Sequence, residues 1–135
     1  MTYLVDAYVL SELTKPEPNK RVVDWLTVHE GELVVDGIIL GELLVGILAR
    51  PSGRKRAKLE TWFDDLLQTI DCLPWDAAVS LRWAKLVADL KKMGRPLPIL
   101  DSMIAATALA HGLTVVTHNV RDFKRAKLKV VDPFI

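Results

Sequence analysis

Four carboxylates stand where apolar segments end or would otherwise run on: Asp6 in TYLVDAYVLSE, Glu42 in IILGELLVGIL, Asp101 in PLPILDSMIAATALAHG and Asp122 in TVVTHNVRDF. An ionised group withdrawn from water is costly unless it is paired with a cation or coordinates a metal, so each position asks for a partner. The local sequence supplies few. One helical turn to either side of Glu42 lie Ile38, Ile39, Val45 and Gly46, none able to neutralise it. If Glu42 is buried, its partner comes from elsewhere in the chain. Mg²⁺ and Mn²⁺ are hard cations that favour carboxylate and water oxygens, so acids converging from distant segments would make a suitable cage. Phosphodiester cleavage is the natural chemistry there, because a bound metal turns water into a nucleophile and offsets charge on the phosphate. Without a cation, carboxylates sharing one site resist ionisation, which is a second reason to expect one.

Each acid also has a plain structural explanation. Asp6 could end a strand and hydrogen-bond a turn. Glu42 could lie on an exposed stripe or at a subunit interface. Asp101, with Pro98 before it and an apolar helix after it, could be an N-cap. Arg121-Asp122 has the look of a solvated turn, and Asn119 of a turn former. The set of four carries more weight than any member. Trp25, Trp62, Trp75 and Trp83 fall within or at the start of amphipathic helices, which favours packing over base stacking. Two basic runs, from Arg50 to Lys58 and from Lys124 to Lys129, could attract phosphates, although the start of a basic helix is more often simply solvated.

The elements that would position these acids alternate. TYLVDAYV favours a strand, followed by a short helix that stops at Lys15-Pro16. Arg21 to His29 carries Val22, Trp25 and Leu26 at helical spacing, and Gly31 ends it. ELVVD reads as a second strand, and Gly37 to Arg50 as a helix apolar enough to be buried on most sides. A charged helix is expected from Arg54 to about Ile70, a short strand over Asp71 to Leu73, and an amphipathic helix from Trp75 to Met93 closed by Gly94. Pro96 and Pro98 force an extended approach to a helix over Ile99 to Ala110, with Gly112 as its cap. LTVVT is a strand, VRDF a turn or short helix, and LKVVDPF a last strand. This alternation predicts an α/β sandwich around a largely parallel sheet, whose ligands gather outside the carboxyl ends of the strands. Asp6 and THNVRD fall at such ends.

A chain of 135 residues, half of them hydrophobic, has the size of one ordinary domain, here residues 1–135. Its formal net charge of +1 neither demands nor excludes nucleic acid, since a local patch steers a polyanion. Its one cysteine, Cys72, forms no internal disulfide, and three scattered histidines with one thiol make no zinc set. No apolar stretch approaches the roughly 20 residues that span a bilayer. The expectation is a soluble, cytoplasmic protein with no membrane contact.

The order Asp, Glu, Asp, then T-x-N-x-x-D-F, resembles that of the PIN-domain ribonucleases, specifically the VapC toxins of prokaryotic toxin–antitoxin pairs. The similarity runs almost end to end, through VDAYVLSELTKP, LGELLVGI, the R-P-x-G-R-x-R-x-x-L-x-x-W turn and helix, GRPLPILDSMIAATALAHGLTVVTHNVRDF and the closing VVDPF. It implies a PIN-like α/β/α sandwich and a metal-dependent endoribonuclease. Asp6, Glu42 and Asp101 would hold Mg²⁺ or Mn²⁺, with Asp6 and Asp101 as the metal ligands proper, Asp122 as a less regular fourth acid, and Thr117 and Asn119 in support. It further implies RNA as substrate, a homodimer, and inhibition by a cognate VapB-type antitoxin. The chain departs from the family pattern at Asp6-Ala7-Tyr8, where Asp-Thr-Asn is usual. A hydroxyl and an amide that could orient a metal-bound water are lost, which predicts weaker metal binding or slower turnover. The rival is therefore a weakened PIN-like protein that mainly binds an antitoxin or RNA. A receiver-like phosphoacceptor module would want an adjacent acidic pair after the first strand and a lysine after a late one, and this chain has neither at those places.

Overall fold

The structure is a computed structural model and describes residues 2–135. Five short strands form one all-parallel sheet: β1 (Tyr3–Val5), β2 (Leu33–Asp36), β3 (Asp71–Leu73), β4 (Thr114–Val116) and β5 (Val130–Val131), in the order β3-β2-β1-β4-β5. Register is fixed by pairs such as Leu4 with Val34 and Val115, and Val5 with Val116. The central strands are apolar on both faces because both faces are covered; Leu4, Val5, Val34, Val35, Val115 and Val116 are all buried. The helices are α1 (Ala7–Glu12), α2 (Lys20–Val28), α3 (Gly37–Leu48), α4 (Arg54–Thr69), α5 (Ala77–Lys92), α6 (Ile99–His111) and α7 (Val120–Arg125). Strand order reverses between β1 and β4, so right-handed crossovers put α1 to α4 on one face and α5 to α7 on the other. The expected α/β sandwich is the observed architecture, with a sheet that is wholly parallel.

Local chemistry sets the boundaries. The first strand ends at Val5, earlier than the run TYLVDAYV predicts, because the Asp6 carboxylate accepts the Val9 amide at 2.9 Å and starts α1 there. The same device starts α3 at Asp36 and α5 at Asp76, two residues later than the apolar pattern of Trp75 onward. VRDF resolves as the helix α7, and the last strand shrinks to Val130–Val131. Gly94 and Gly112 close α5 and α6 with φ of 67° and 66°, a left-handed conformation that a Cβ resists. Helix α6 presents Ala105, Ala106 and Ala108 to the interior, small enough for its backbone to approach the core closely, and Phe123 of α7 is almost wholly enclosed. Glu12, at the end of α1, is buried and bonded to Lys15 and to the Asn19 amide, both at 2.8 Å, which ties α1 to the start of α2.

Helix α3 is less enclosed than its composition predicts. Val45 is 69% exposed and Leu48 45%, and both lie on the same helix that buries Ile39, Leu43 and Ile47. The apolar sequence therefore serves two surfaces, one of them in solvent here.

Candidate metal centre

The carboxyl ends of β1 and β4 lie side by side at the point where strand order reverses, the usual position of a ligand crevice in a doubly wound sheet. Asp6 leaves β1 there, its amide bonded to the Val116 carbonyl at 3.0 Å. One carboxylate oxygen caps α1, and the other accepts a short hydrogen bond from the Thr117 hydroxyl. Thr117 in turn accepts the Asn119 amide at 3.0 Å. The Asn119 side-chain NH₂ donates to Asp122 at 3.0 Å and to Asp101 at 3.3 Å. A continuous polar chain thus links residues from β1, β4, α6 and α7. It borders an open pocket of about 410 Å³ lined by Asp6, Ala7, Tyr8, Glu42, Asp101, Ile104, His118 and Asn119.

The structure sorts the four acids. Asp6, Glu42 and Asp101 all line the pocket, although three different helices carry or follow them. Asp6 is both a cap and a pocket residue. Asp101 is not a cap: Pro98 holds that position, and Asp101 lies in the first turn of α6, where the helix dipole favours a negative charge. Asp122 is set back from the pocket in the first turn of α7, held by Asn119 and facing Arg125 at 3.6 Å. Glu42 is half-buried on α3 and enters no salt bridge among the described residues. Thr117 bonds Asp6, and Asn119 bonds Asp101 and Asp122.

Electrostatics give the pocket its character. Burial raises the Asp6 carboxyl above its ordinary range, hydrogen bonds from Thr117 and Val9 pull against that, and the Asp101 charge pushes it further up. Glu42 is raised by burial and then by the charges of Asp101, Asp6 and Asp36. Asp101 is raised by burial and by Asp122, with Asn119 opposing. Each acid makes its neighbour harder to ionise, and a cation would relieve all three. Among the described residues, no three His, Cys, Asp or Glu side chains gather tightly enough to hold one ion between them. The carboxylates that line the pocket are oxygen donors of the kind a hard divalent cation takes.

Comparison with known proteins places this geometry. The PIN domain family model matches residues 3–129, nearly the whole chain. The chain belongs to the PIN-domain family. This PIN domain is 33% identical to the VapC ribonuclease Y4jK of Sinorhizobium fredii, over 97% of this chain and 96% of that protein. It is 31% identical to toxin FitB of Neisseria gonorrhoeae, over 97% of each. Among solved structures it superposes on a chain of FitAB bound to a DNA fragment with a TM-score of 0.93 at 30% identity, covering 99% of this chain and 96% of that one.

Two pocket-related residues escape a reading by chemistry alone. Asp36 ends β2 and caps α3 through Ile39 at 2.9 Å, while accepting the Thr107 hydroxyl at 2.7 Å in an almost fully buried setting. Its signal was present: an apolar run, then Asp, then a helix, as at Asp6. His118 lines the pocket and lies 3.0 Å from Asp132, a partner 14 residues on that spacing does not announce.

Proposed function

We propose that this PIN domain is a divalent-metal-dependent endoribonuclease and the toxin of a toxin–antitoxin pair. The observation that carries the reading is the convergence of Asp6, Glu42 and Asp101 on one pocket, each raised by burial and by other carboxylates. The family and the relatives named as ribonuclease and toxin point the same way. Asp6 and Asp101 would hold Mg²⁺ or Mn²⁺, which supplies an activated water and charge compensation on a phosphodiester. Thr117 fixes one oxygen of Asp6, and Asn119 holds Asp101 and Asp122 in one orientation. Glu42, its carboxyl raised by burial and by neighbouring acids, enters no salt bridge among the described residues and is placed to take up or release a proton at the pocket wall. Arg125 faces Asp122 at 3.6 Å, and the Asp122 charge still raises Asp101.

The protein acts in the cytoplasm on RNA and is held inactive by a VapB-type antitoxin. Among the described residues no helix is long and apolar enough to cross a membrane. The exposed apolar side chains Val45, Leu48, Ile99 and Leu100 supply surface for a second copy in a homodimer. The alternative, a weakened nuclease that mainly binds antitoxin or RNA, draws on Ala7 and Tyr8 in the pocket wall. Incubating the purified protein with single-stranded RNA in Mg²⁺, in Mn²⁺ and in EDTA separates the two. Cleavage that EDTA abolishes supports the nuclease; intact RNA under all three conditions leaves the binding role.

A further inference from the structure

Tyr8 follows directly on the metal-site segment, yet it packs into no core. It is 55% exposed and stands at the pocket mouth against His118, with ring centroids 5.8 Å apart and planes 15° from parallel. Phe134 closes the group, 5.6 Å from Tyr8 and 4.9 Å from His118. Polar contacts hold the His118 ring and the backbone at Phe134, and Tyr8 rests on both through its ring. One oxygen of Asp132 accepts the Phe134 amide at 3.0 Å, and the other meets His118 Nδ1 at 3.0 Å. A large, exposed aromatic held by a buttress is pre-organised, and loses little freedom when something stacks on it.

The surroundings say what would stack. Tyr8 and His118 line the acidic pocket, and Tyr8 also lines a second recess of about 370 Å³ that includes Thr14, Arg50 and Trp62. Arg50 pairs with no carboxylate among the described residues. Tyr8, with Ala7 and Glu42, borders both a site suited to a metal-bound phosphate and a recess whose Arg50 guanidinium enters no salt bridge among the described residues. That sequence of phosphate site, aromatic face and cation matches a single-stranded polynucleotide, whose unpaired bases stack on aromatic rings while its phosphates meet basic groups.

We propose that Tyr8, backed by His118 and Phe134, is a stacking platform for the RNA base adjoining the scissile phosphate. The proposal rests on the ribonuclease reading. It reverses the sense of the Asp6-Ala7-Tyr8 departure: the asparagine amide usual in the family is exchanged for a surface that grips substrate.

The test measures binding and cleavage separately. Glu42→Gln serves as host for binding in Mg²⁺, with a mixed-sequence single-stranded RNA and an abasic oligomer of equal length as probes. Tyr8→Leu should weaken binding of the base-bearing RNA by about 10-fold, the scale of one lost base–aromatic stack, and leave the abasic oligomer within about twofold. Tyr8→Phe should bind both as the host does. Equal affinities for Tyr8→Leu and its host overturn the proposal, as does an equal loss on both probes, which melting curves would trace to the fold or to phosphate contact. The unsubstituted protein is assayed for cleavage beside them. Cleavage with a neutral Tyr8→Leu removes the platform and keeps the nuclease; a protein that neither binds nor cleaves RNA removes both.

Discussion

Asp6 and Asp36 are chemically the same device used twice. Each ends a central strand, caps the following helix with a 2.9 Å bond to the amide three residues on, and takes a threonine hydroxyl on its other oxygen. Burial raises both carboxyls. The difference lies in the neighbours. Asp36 is 2% exposed, and both of its oxygens are satisfied within the protein. Asp6 opens onto a pocket shared with Glu42 and Asp101, whose charge opposes its own. A strand-end aspartate is thus a structural part by default, and opens onto a shared acidic pocket where the strand order reverses and other acids arrive.

Substitutions at a pocket carboxylate and at the buried cap Asp36 should part most widely in activity. Asp101→Asn deletes a pocket carboxylate, and should cut metal-dependent RNA cleavage by roughly 100-fold or more, about 3 kcal/mol of transition-state stabilisation. Circular dichroism and melting should show an intact fold. Cleavage equal to the parent in saturating Mg²⁺ would refute the role. Asp36→Ala should do the converse: losing a buried cap and orphaning Thr107 costs about 2 kcal/mol of stability, while kcat per folded molecule holds. A lowered melting temperature with unchanged kcat is the expected pair.

The threonines give a finer contrast. Thr117→Val releases Asp6 and should slow cleavage or weaken metal binding by about 10-fold, the low end for groups that orient a ligand. Thr107→Val should leave cleavage alone and lower the melting temperature. Both losing activity equally would dissolve the distinction between the caps.

Acidity sharpens it further. A carboxyl raised in the folded state favours folding while protonated, so the contribution of Asp6, Glu42 and Asp101 to metal-free stability falls as pH rises from their ordinary values of 3.8 and 4.5 through the raised ones. Relative to the parent, metal-free Asp101→Asn should therefore gain stability as pH increases through that window, and Mg²⁺ should erase the advantage. A stability difference flat in pH would show that repulsion among the acids is negligible. The smallest effect is expected from Ala7→Thr, which returns a hydroxyl beside Asp6 and should raise cleavage a few-fold, up to about 10-fold, at limiting Mg²⁺.

Much of this was legible in the residues. The alternation of periodicities gave the parallel α/β architecture, and glycines at 94 and 112 marked helix ends because only a left-handed turn fits there. The acids drew notice through their apolar settings. What stayed hidden depends on tertiary placement. Whether Asp122 lines the pocket or stands behind Asn119 is decided by the angle of α7, and the exposure of Val45 by what does not cover α3. Asp36 goes unmarked in the sequence although its local chemistry is that of Asp6, because what separates the two is which acids the fold brings beside each.

The bond between Thr117 and Asp6 spans 111 residues, and β1 must wait for β4 before its second edge is paired. Synthesis proceeds from the N-terminus at about 5–20 residues per second, so Asp6 is made seconds before the segment that orients it. A growing chain therefore carries no finished site. A chain that stops short of Thr117 lacks the hydroxyl that holds Asp6 and leaves β1 with one edge unpaired.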